Sequence, residues 1–425
     1  MSTPTLAAPA LATPLELSRV VSNRAPARVQ IVAPDLRIAD NPAAAVLRSA
    51  STQGPISRDT AARTTGLSIA TVNRQVAGLL GAGLLRERAD LTASGAIGRP
   101  RVPFEVNHEP YLTVGIHVGA VVTSVIASDL RGRILGGVEI PTPRANQDVA
   151  LAAIARSAKA FTSRWHRRQP LWVGVALGGR VDSATGTADH PRLGWRGARV
   201  GAIVGETLGL PVSVSAHVEA MAASELLLAP RSPDDRDPVG TSLYFYARET
   251  AGVALTIDGR VHTPNNGPGS IVHLPTGSDA KCECGQKGCL EATVSDRALL
   301  RRAIADGILV GDSRPAIGSL YDAAAAGSTA AHELLVERAQ ILGRTVAMLR
   351  DLFNPDRVIL GGQSFTEYPA AIPHVAAAFA QTSTLLRKDI RVSGFGNRVQ
   401  EFAASVTSLS ALYADPLPSM RRSLG

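Results

Sequence analysis

The chain has 425 residues, of which 45% are hydrophobic and 19% charged, and its 44 lysines and arginines outnumber 36 aspartates and glutamates. This length predicts two or three domains with large buried cores. The sequence has no apolar run long enough for a membrane span and no secretory signal, which excludes an integral membrane protein and favours a cytoplasmic one. The net charge of +8 indicates a polyanionic partner only weakly, because many proteins are basic without binding one.

The first 40 residues are rich in Ala, Pro and Thr and show no sustained hydrophobic period. Such a composition buries too little apolar surface to offset the entropy lost when a backbone is ordered. We therefore predict a disordered arm for residues 1–40.

A helical pattern begins at Asn41. Ser57 and Ser68 are placed to cap two successive helices, with Gly66 in the turn between them. The second helix has one apolar stripe, formed by Val72, Val76, Leu79 and Leu80. Its exposed N-terminal end would then carry the side chains that can contact base edges in a major groove, namely Ser68, Thr71, Asn73, Arg74 and Gln75.

Residues 84–107 read as a β-hairpin wing, with Arg99 and Arg101 at its tip. Residues 51–108 contain seven arginines and four acidic residues, which gives this segment a net charge of +3. We therefore predict a winged helix-turn-helix over residues 41–108 that binds double-stranded DNA. Contact with another protein is the alternative use of such a unit.

Strands alternate with helices from Tyr111 onward, which predicts an α/β architecture. Apolar strands are expected at 111–137, 171–182 and 241–261, and the longest helix at 329–352. The last residues, 413–425, read as a tail.

All three cysteines, Cys282, Cys284 and Cys289, lie between His273 and Glu291. Three thiolates and an imidazole suit a closed tetrahedral Zn²⁺ site that is structural rather than catalytic. The two glycines of the C-x-C-G-x-x-G-C pattern permit the tight turn that brings the ligands together. A disulfide with one free thiol is the alternative, although a C-x-C pair rarely meets disulfide geometry.

Four motifs together resemble the ROK family of repressors, open reading frames and sugar kinases. They are the cysteine stretch, V-G-I-x-x-G at 114–119, A-x-x-G-x-V-D at 176–182 and N-P-D-R-V-I-L-G-G at 354–362. The resemblance covers about residues 111–412 and implies a sensor and oligomerisation domain over residues 109–412. The preceding winged helix points to the regulator branch, which includes xylose-, glucose- and N-acetylglucosamine-responsive repressors. It implies an actin-like ATPase fold of two lobes with a ligand cleft, and a homodimer or homotetramer on an inverted-repeat operator.

The chain departs from the sugar kinases of that family at three places. The D-x-G-G-T phosphate loop is replaced by H-V-G-A-V at 117–121, and the catalytic Asn-Asp pair by Ala216 and His217. In the second phosphate loop, at 246–252, Glu249 would repel a phosphate. We therefore expect no catalytic activity, with an active sugar kinase as the alternative.

The residues that would contact a ligand are altered as well. By resemblance these are Arg192, His217, Ser270, His273 and Glu291, where Arg192 replaces an asparagine and Ser270 a glutamate. These changes favour a sugar-derived or anionic effector, or a cleft that binds nothing. The function expected is that of a nucleoid-associated, repressor-like transcriptional regulator, and an architectural DNA-binding protein without an effector is the remaining alternative.

Overall fold

The computed structural model describes residues 29–91, 102–229, 240–265, 267–309, 316–385 and 389–424. Within these ranges the helices are α1 Pro42–Gln53, α2 Arg58–Thr65, α3 Ile69–Gly81, α4 Gln147–Thr162, α5 Val200–Leu208, α6 His217–Leu227, α7 Leu290–Val294, α8 Asp296–Ala305, α9 Ile317–Ala325, α10 Thr329–Phe353, α11 Gln363–Thr366, α12 Ile372–Thr382, α13 Val399–Ala414 and α14 Pro416–Leu424. The strands there are β1 Leu85–Glu87, β2 Phe104–Val106, β3 Tyr111–Val118, β4 Val122–Ser128, β5 Ile134–Pro141, β6 Gln169–Leu177, β7 Arg180–Asp182, β8 Thr187–His190, β9 Trp195–Ala198, β10 Val212–Ala216, β11 Thr241–Ala247, β12 Ala251–Ile257, β13 Arg260–Val261, β14 Arg357–Gly361 and β15 Asp389–Val392. None of these helices combines the length and apolar character needed to cross a membrane.

The helix-turn-helix forms where the capping residues predict it. The Ser57 hydroxyl accepts a hydrogen bond from the Thr60 amide at 3.1 Å, and Ser68 caps α3 in the same way. Gly66 ends α2 with a φ of +69°, a left-handed conformation that glycine adopts without steric strain. Strands β1 and β2 pair antiparallel and form the base of the wing.

Two lobes follow, and their sheets share one strand order. The first sheet runs β5-β4-β3-β6-β10 and the second β13-β12-β11-β14-β15. In each, a three-stranded antiparallel meander is extended on one side by two parallel strands. This repeated topology matches the expected two-lobed α/β architecture.

Helix α13 lies directly on the first sheet because both surfaces are built from small residues. A Cβ atom at Gly174, in β6, would lie 2.1 Å from the Ser408 amide nitrogen of α13. At Gly115, in β3, it would lie 2.8 Å from the backbone of Ala404. Serine and threonine hydroxyls on α13 bond to the sheet, as Ser408 does to Thr113 at 2.8 Å.

We expect Gly174→Ala to destabilise the chain by about 3 kcal/mol or more, because the added methyl group meets helix backbone that has no room to move aside. Urea-induced unfolding would measure the loss. Gly318→Ala in α9 is the matched control, because a Cβ atom there meets nothing within 4 Å and alanine favours the helix. Equal stability of the two variants would contradict this account of the α13 interface.

The predicted disordered arm is wrong for its last twelve residues. Residues 29–40, which we call the N-terminal strap, run along both lobes. Val32 donates to the Val212 carbonyl at 2.9 Å, extending the first sheet beyond β10. Ile38 donates to the Gly259 carbonyl at 2.8 Å, beside β13 at the edge of the second sheet. Residues 1–28 lie outside the described residues, so disorder there stays a prediction.

The predicted tail is also different in the structure. Residues 416–424 form α14, in which Met420 is 1% exposed. A Cβ atom at Gly78 of α3 would lie 3.4 Å from the Leu417 side chain of α14, so the two helices are in close contact there. One apolar cluster therefore joins the helix-turn-helix to the end of the chain and includes Leu79, Leu84, Leu409, Leu412 and Met420.

Candidate functional site

The three cysteines and His273 converge as their spacing predicts. One ligand atom from each residue lies within 4.8 Å of all the others. The Cys282 sulfur is 3.7 Å from His273 Nδ1, and the Cys284 and Cys289 sulfurs are 3.6 Å apart. Sulfurs bound 2.3 Å from a tetrahedral Zn²⁺ would be roughly 3.8 Å apart, so the four side chains fit this ion.

The spacing of the sulfurs decides against the disulfide alternative. A disulfide bond is about 2.05 Å long, and all three cysteines are free thiols in the structure. The loop depends on Gly288, whose φ is +73° and whose Cβ atom would lie 2.5 Å from the Ser278 carbonyl oxygen. Beyond the loop, Leu290 is fully buried and its amide bonds to the Leu274 carbonyl, which ties the cluster to the second lobe.

The N-terminal end of α3 is the candidate nucleic-acid interface. Val72, Val76 and Leu79 are fully buried, and Leu80 is half-buried. On the opposite face Asn73 and Arg74 are exposed, whereas Gln75 is half-buried. The Thr71 hydroxyl contacts that of Ser68 at 3.0 Å within the cap.

Sequence reasoning missed one residue on this face. Ile69 falls in the same helical register as Val72 and Val76, yet it is 46% exposed at the start of α3. An apolar side chain there is suited to contact with a thymine methyl group. Its neighbour Ala70 is exposed as well. The place of Ile69 in the first turn of α3 is the sequence feature that could have indicated its exposure.

Several arginines counted towards DNA binding instead hold the wing together. The Glu105 carboxylate, 3% exposed in β2, accepts from Arg86 at 2.8 Å and from Arg88 at 3.0 Å. Arg131, from the first lobe, also bonds to it at 3.0 Å. Burial alone would raise the pKa of Glu105, but these arginines outweigh it and hold that pKa below its usual value. Arg58 is paired with Glu87, and the predicted tip residues Arg99 and Arg101 lie outside the described residues.

Residues 117–121 and 246–252, which replace the two phosphate loops of the kinases, are linked by a chain of contacts between the lobes. The Arg144 Nη2 donates to the Ala120 carbonyl at 2.6 Å, and its Nη1 to the Arg192 carbonyl at 3.4 Å. Arg192 in turn reaches the second lobe, where its Nη1 donates to the Glu249 carbonyl at 2.7 Å. Its Nη2 lies 3.3 Å from the Glu249 carboxylate. An arginine–glutamate contact therefore crosses the cleft.

Three histidines pack behind this contact. The His117 and His217 rings stack 5.7 Å apart, and a Cβ atom at Gly178 would lie 3.4 Å from His190 Nε2 and 3.6 Å from His217 Cε1. Burial lowers the pKa of His190 and of His217 to about 4, and it holds the pKa of His117 well below its ordinary value. All three imidazoles are therefore neutral near pH 7.

The remaining ligand candidates are only partly brought together. The Glu291 carboxylate accepts from the Thr250 hydroxyl, next to Glu249, and the Glu291 amide bonds to the Val272 carbonyl. His273 belongs to the cysteine cluster, and Ser270 is exposed on the loop before it. His217 meets the Tyr246 ring edge to face at 5.6 Å. Arg144, Arg248 and His190 were missed, because nothing in their local sequence shows that they face the cleft.

Comparisons with known proteins agree on one family. A profile described as the ROK family matches residues 113–398. A transcriptional regulator of Mycobacterium tuberculosis (strain ATCC 25618 / H37Rv) is 56% identical over 403 residues, which cover 92% of this chain and 90% of that protein. The N-acetylglucosamine repressor of Escherichia coli O157:H7 is 25% identical over 75% of this chain and 80% of its own length.

A crystal structure of a ROK family transcriptional regulator, a homologue of the E. coli Mlc protein, resembles the chain with a TM-score of 0.73. The two are 23% identical, over 91% of this chain and 99% of that one. The likeness confirms the expected fold class: an N-terminal winged helix-turn-helix followed by an actin-like, two-lobed α/β domain.

Proposed function

The chain belongs to the ROK family, and from this premise we propose that it is a DNA-binding transcriptional regulator that acts in a repressor-like manner. The observation that carries the proposal is the exposed N-terminal end of α3 on a winged helix-turn-helix that precedes a ROK-type domain. The similarity to a mycobacterial transcriptional regulator and to an E. coli repressor supports it. We assign residues 41–108 to DNA binding and 109–412 to sensing and oligomerisation, in a cytoplasmic, nucleoid-associated protein.

In this proposal the exposed end of α3 enters the major groove of an operator. Asn73 and Arg74 would contact base edges, with Gln75 and Thr71 beside them, and Ser68 would contact the phosphate backbone of the DNA. The wing tip, with Arg99 and Arg101, would reach the adjacent minor groove, where a narrow groove favours arginine. A homodimer or homotetramer would place two such units on an inverted repeat.

We propose that Zn²⁺ occupies the site formed by His273, Cys282, Cys284 and Cys289. Four protein ligands leave no open coordination position, so the ion would serve structure alone. It would cross-link the loop of residues 273–289, whose C-terminal end continues into α7 and Glu291 at the cleft. The cluster would thereby fix one wall of the cleft.

The cleft would bind the effector through Arg192, His217, Ser270, His273 and Glu291. The ion pair across the cleft and the buried imidazoles favour an anionic or sugar-derived metabolite over a neutral sugar. The alternative is a DNA-binding protein without an effector. Thermal shifts over panels of sugars, sugar phosphates and organic acids would separate the two, since a specific ligand raises the melting temperature.

We propose further that the domain has no kinase activity. Where a catalytic carboxylate would be needed stands His217, whose pKa of about 4 follows from burial, and Arg192 engages Glu249 between the two lobes. The neutral His217 can accept a proton, but the altered loops at 117–121 and 246–252 lack the residues with which the kinases contact Mg²⁺ and phosphate. ATP consumption over a sugar panel should equal the rate without protein, and turnover with any sugar would establish the alternative of a sugar kinase.

A fluorescence titration with DNA from upstream of the chain's own gene tests the main proposal. We expect saturable binding that is at least about a thousandfold tighter than binding to scrambled DNA of equal length, as is usual for specific operators. The affinity should fall steeply with salt, because arginines displace counterions from phosphates. Equal affinity for both DNAs would instead support the architectural protein.

A further inference from the structure

We infer that the N-terminal strap transmits changes in the relative position of the two lobes to the helix-turn-helix, and so couples the lobes to DNA binding. The inference rests on the proposed function and deepens it, because it names the segment through which DNA binding would be regulated. The strap is attached to both lobes and to α1, and little chain separates these attachments.

The first attachment is to the first lobe. The Val32 amide donates to the Val212 carbonyl, and the Val212 amide donates to the Gln30 carbonyl, both at 2.9 Å. The strap therefore forms a parallel β-bridge with the edge strand β10. A Cβ atom at Gly201 of α5 would lie 3.2 Å from the Ile31 side chain, so the first lobe closely fits this part of the strap.

The second attachment is to the second lobe. The Ile38 amide donates to the Gly259 carbonyl at 2.8 Å, and the Val261 amide donates to the Leu36 carbonyl at 2.9 Å. These bonds add the strap to the edge of the second sheet, beside β13. Leu36 is 4% exposed, in an apolar cluster that also includes residues of α6 and β11. Hydrogen bonds and apolar burial therefore both hold the strap to this lobe.

The segment between the two attachments is short. Only residues 33–35 lie between Val32 and Leu36, and the ring of Pro34 restricts the backbone further. An extended residue spans at most about 3.6 Å, so the chain from Val32 to Leu36 reaches no more than about 14 Å. A large displacement of one lobe relative to the other is therefore passed along the strap or breaks one of its attachments.

The strap continues directly into the helix-turn-helix. Only Ala39 and Asp40 separate Ile38 from Asn41, the N-cap of α1. Ala39 is 1% exposed, and its carbonyl accepts a hydrogen bond from Arg48 of α1 at 2.8 Å. Helix α1 in turn shares one apolar cluster with α3. A displacement of the strap therefore reaches the helix that we assign to the major groove.

The helix-turn-helix is also attached to the first lobe. Arg131 of that lobe binds Glu105 of the wing at 3.0 Å, and Arg168 donates to the His108 carbonyl at 2.6 Å. The strap adds an attachment to the second lobe, beside β13. When the second lobe moves relative to the first, one attachment moves relative to the other, and the helix-turn-helix is displaced or loses one of them.

Coupling of this kind is reciprocal. Two binding events that are linked through one change of conformation alter each other's affinity by the same factor. If movement of the strap alters DNA binding, DNA binding must alter the strap. DNA from upstream of the chain's own gene can therefore serve as the probe, and the effector need not be known.

Hydrogen exchange resolved to single amides, on the full chain with and without this DNA, tests the inference. The amides to follow are those of Ile38 and Val261, whose hydrogen bonds join the strap to the second lobe. We expect bound DNA to slow exchange at both by at least about fivefold, the lower end of typical couplings, because it holds α1 and thereby the end of the strap.

A chain with Gly-Ser-Gly-Ser inserted between Asp40 and Asn41 is expected to bind the DNA without this effect. Asp40 is exposed, and the insertion leaves both lobe attachments and the cap of α1 in place. The four added residues can take up a displacement of up to about 14 Å. The matched control carries the same insertion after Gly327, in the exposed turn between α9 and α10, and should respond to DNA as the unaltered chain does.

A comparison without DNA separates the inference from the proposed function. Val76→Ala shortens a fully buried side chain of α3 and loosens the helix-turn-helix. Exchange at Ile38 and Val261 should then quicken by at least about fivefold in the otherwise unaltered chain, and by less than about twofold in the chain with the insertion between Asp40 and Asn41.

The inference is overturned if bound DNA leaves both amides of the unaltered chain unchanged, if the insertion between Asp40 and Asn41 preserves the effect, or if the control insertion abolishes it. An equal response of the two chains to Val76→Ala would overturn it as well. If no DNA binds, the proposed function is refuted, and the Val76→Ala comparison alone decides whether the strap couples the lobes to the helix-turn-helix.

Discussion

The Cys282→Ser variant is expected to contain no zinc and to melt about 5–10 °C below the unaltered chain. A serine hydroxyl is a poor zinc ligand, and the three remaining ligands would leave the ion open to solvent. The loop of residues 273–289 would then lose the cross-link that orders it. Leu274 and Leu290 would no longer be held in the core of the second lobe. Because the unfolded chain does not form this site, the free energy of zinc binding adds to the stability of the folded chain. Its loss therefore lowers the melting temperature by about this amount.

Elemental analysis of the purified protein and a thermal melt with and without a chelator measure this effect. The control is Lys287→Ala, an exposed position of the same loop that supplies no ligand atom. It should retain one zinc ion per chain and its melting temperature. One zinc ion per chain in Cys282→Ser would show that the site is assembled from other residues, and an unchanged melting temperature without zinc would show that the ion does not stabilise the fold.

The Arg74→Ala variant is expected to bind the operator about ten- to a hundredfold more weakly, a loss of about 1–3 kcal/mol, and to discriminate less between operator and scrambled DNA. Arg74 is exposed at the second turn of α3, and its removal leaves the buried face of that helix untouched. A fluorescence titration against both DNAs measures affinity and specificity together.

Arg156→Ala provides a control of equal charge, since Arg156 is exposed on α4 of the first lobe, away from the helix-turn-helix. It should bind as the unaltered chain does. If the two variants lost the same affinity, net charge rather than base contact would account for the effect, and the assignment of α3 to the major groove would fail.

The features predicted well from the sequence depend on neighbouring residues. Ser57 and Ser68 cap helices that begin beside them, and the three cysteines reach one another within a single loop. Capping and metal ligation of this kind act over a few residues, so their spacing in the sequence is enough to predict them.

The features predicted poorly depend on partners that are distant in the sequence. The composition of the N-terminal strap predicts a disordered arm, yet the strap pairs with Val212 and Gly259. Residues 416–424 read as a tail in the sequence, because their burial depends on α3. Arg86 and Arg88 read as charges available to DNA, because the sequence gives no sign that Glu105, which binds both, is buried.

The N-terminal strap also sets an order for the synthesis of the chain. The ribosome releases residues 29–40 before Gly259, whose carbonyl accepts the hydrogen bond of Ile38, and it releases α3 before α14, against which α3 packs. The N-terminal strap and the helix-turn-helix must therefore wait for partners that are made later. A chain that stops short of α14 would carry its helix-turn-helix without the apolar support of Met420, so premature release would yield a product whose helix-turn-helix is incompletely packed.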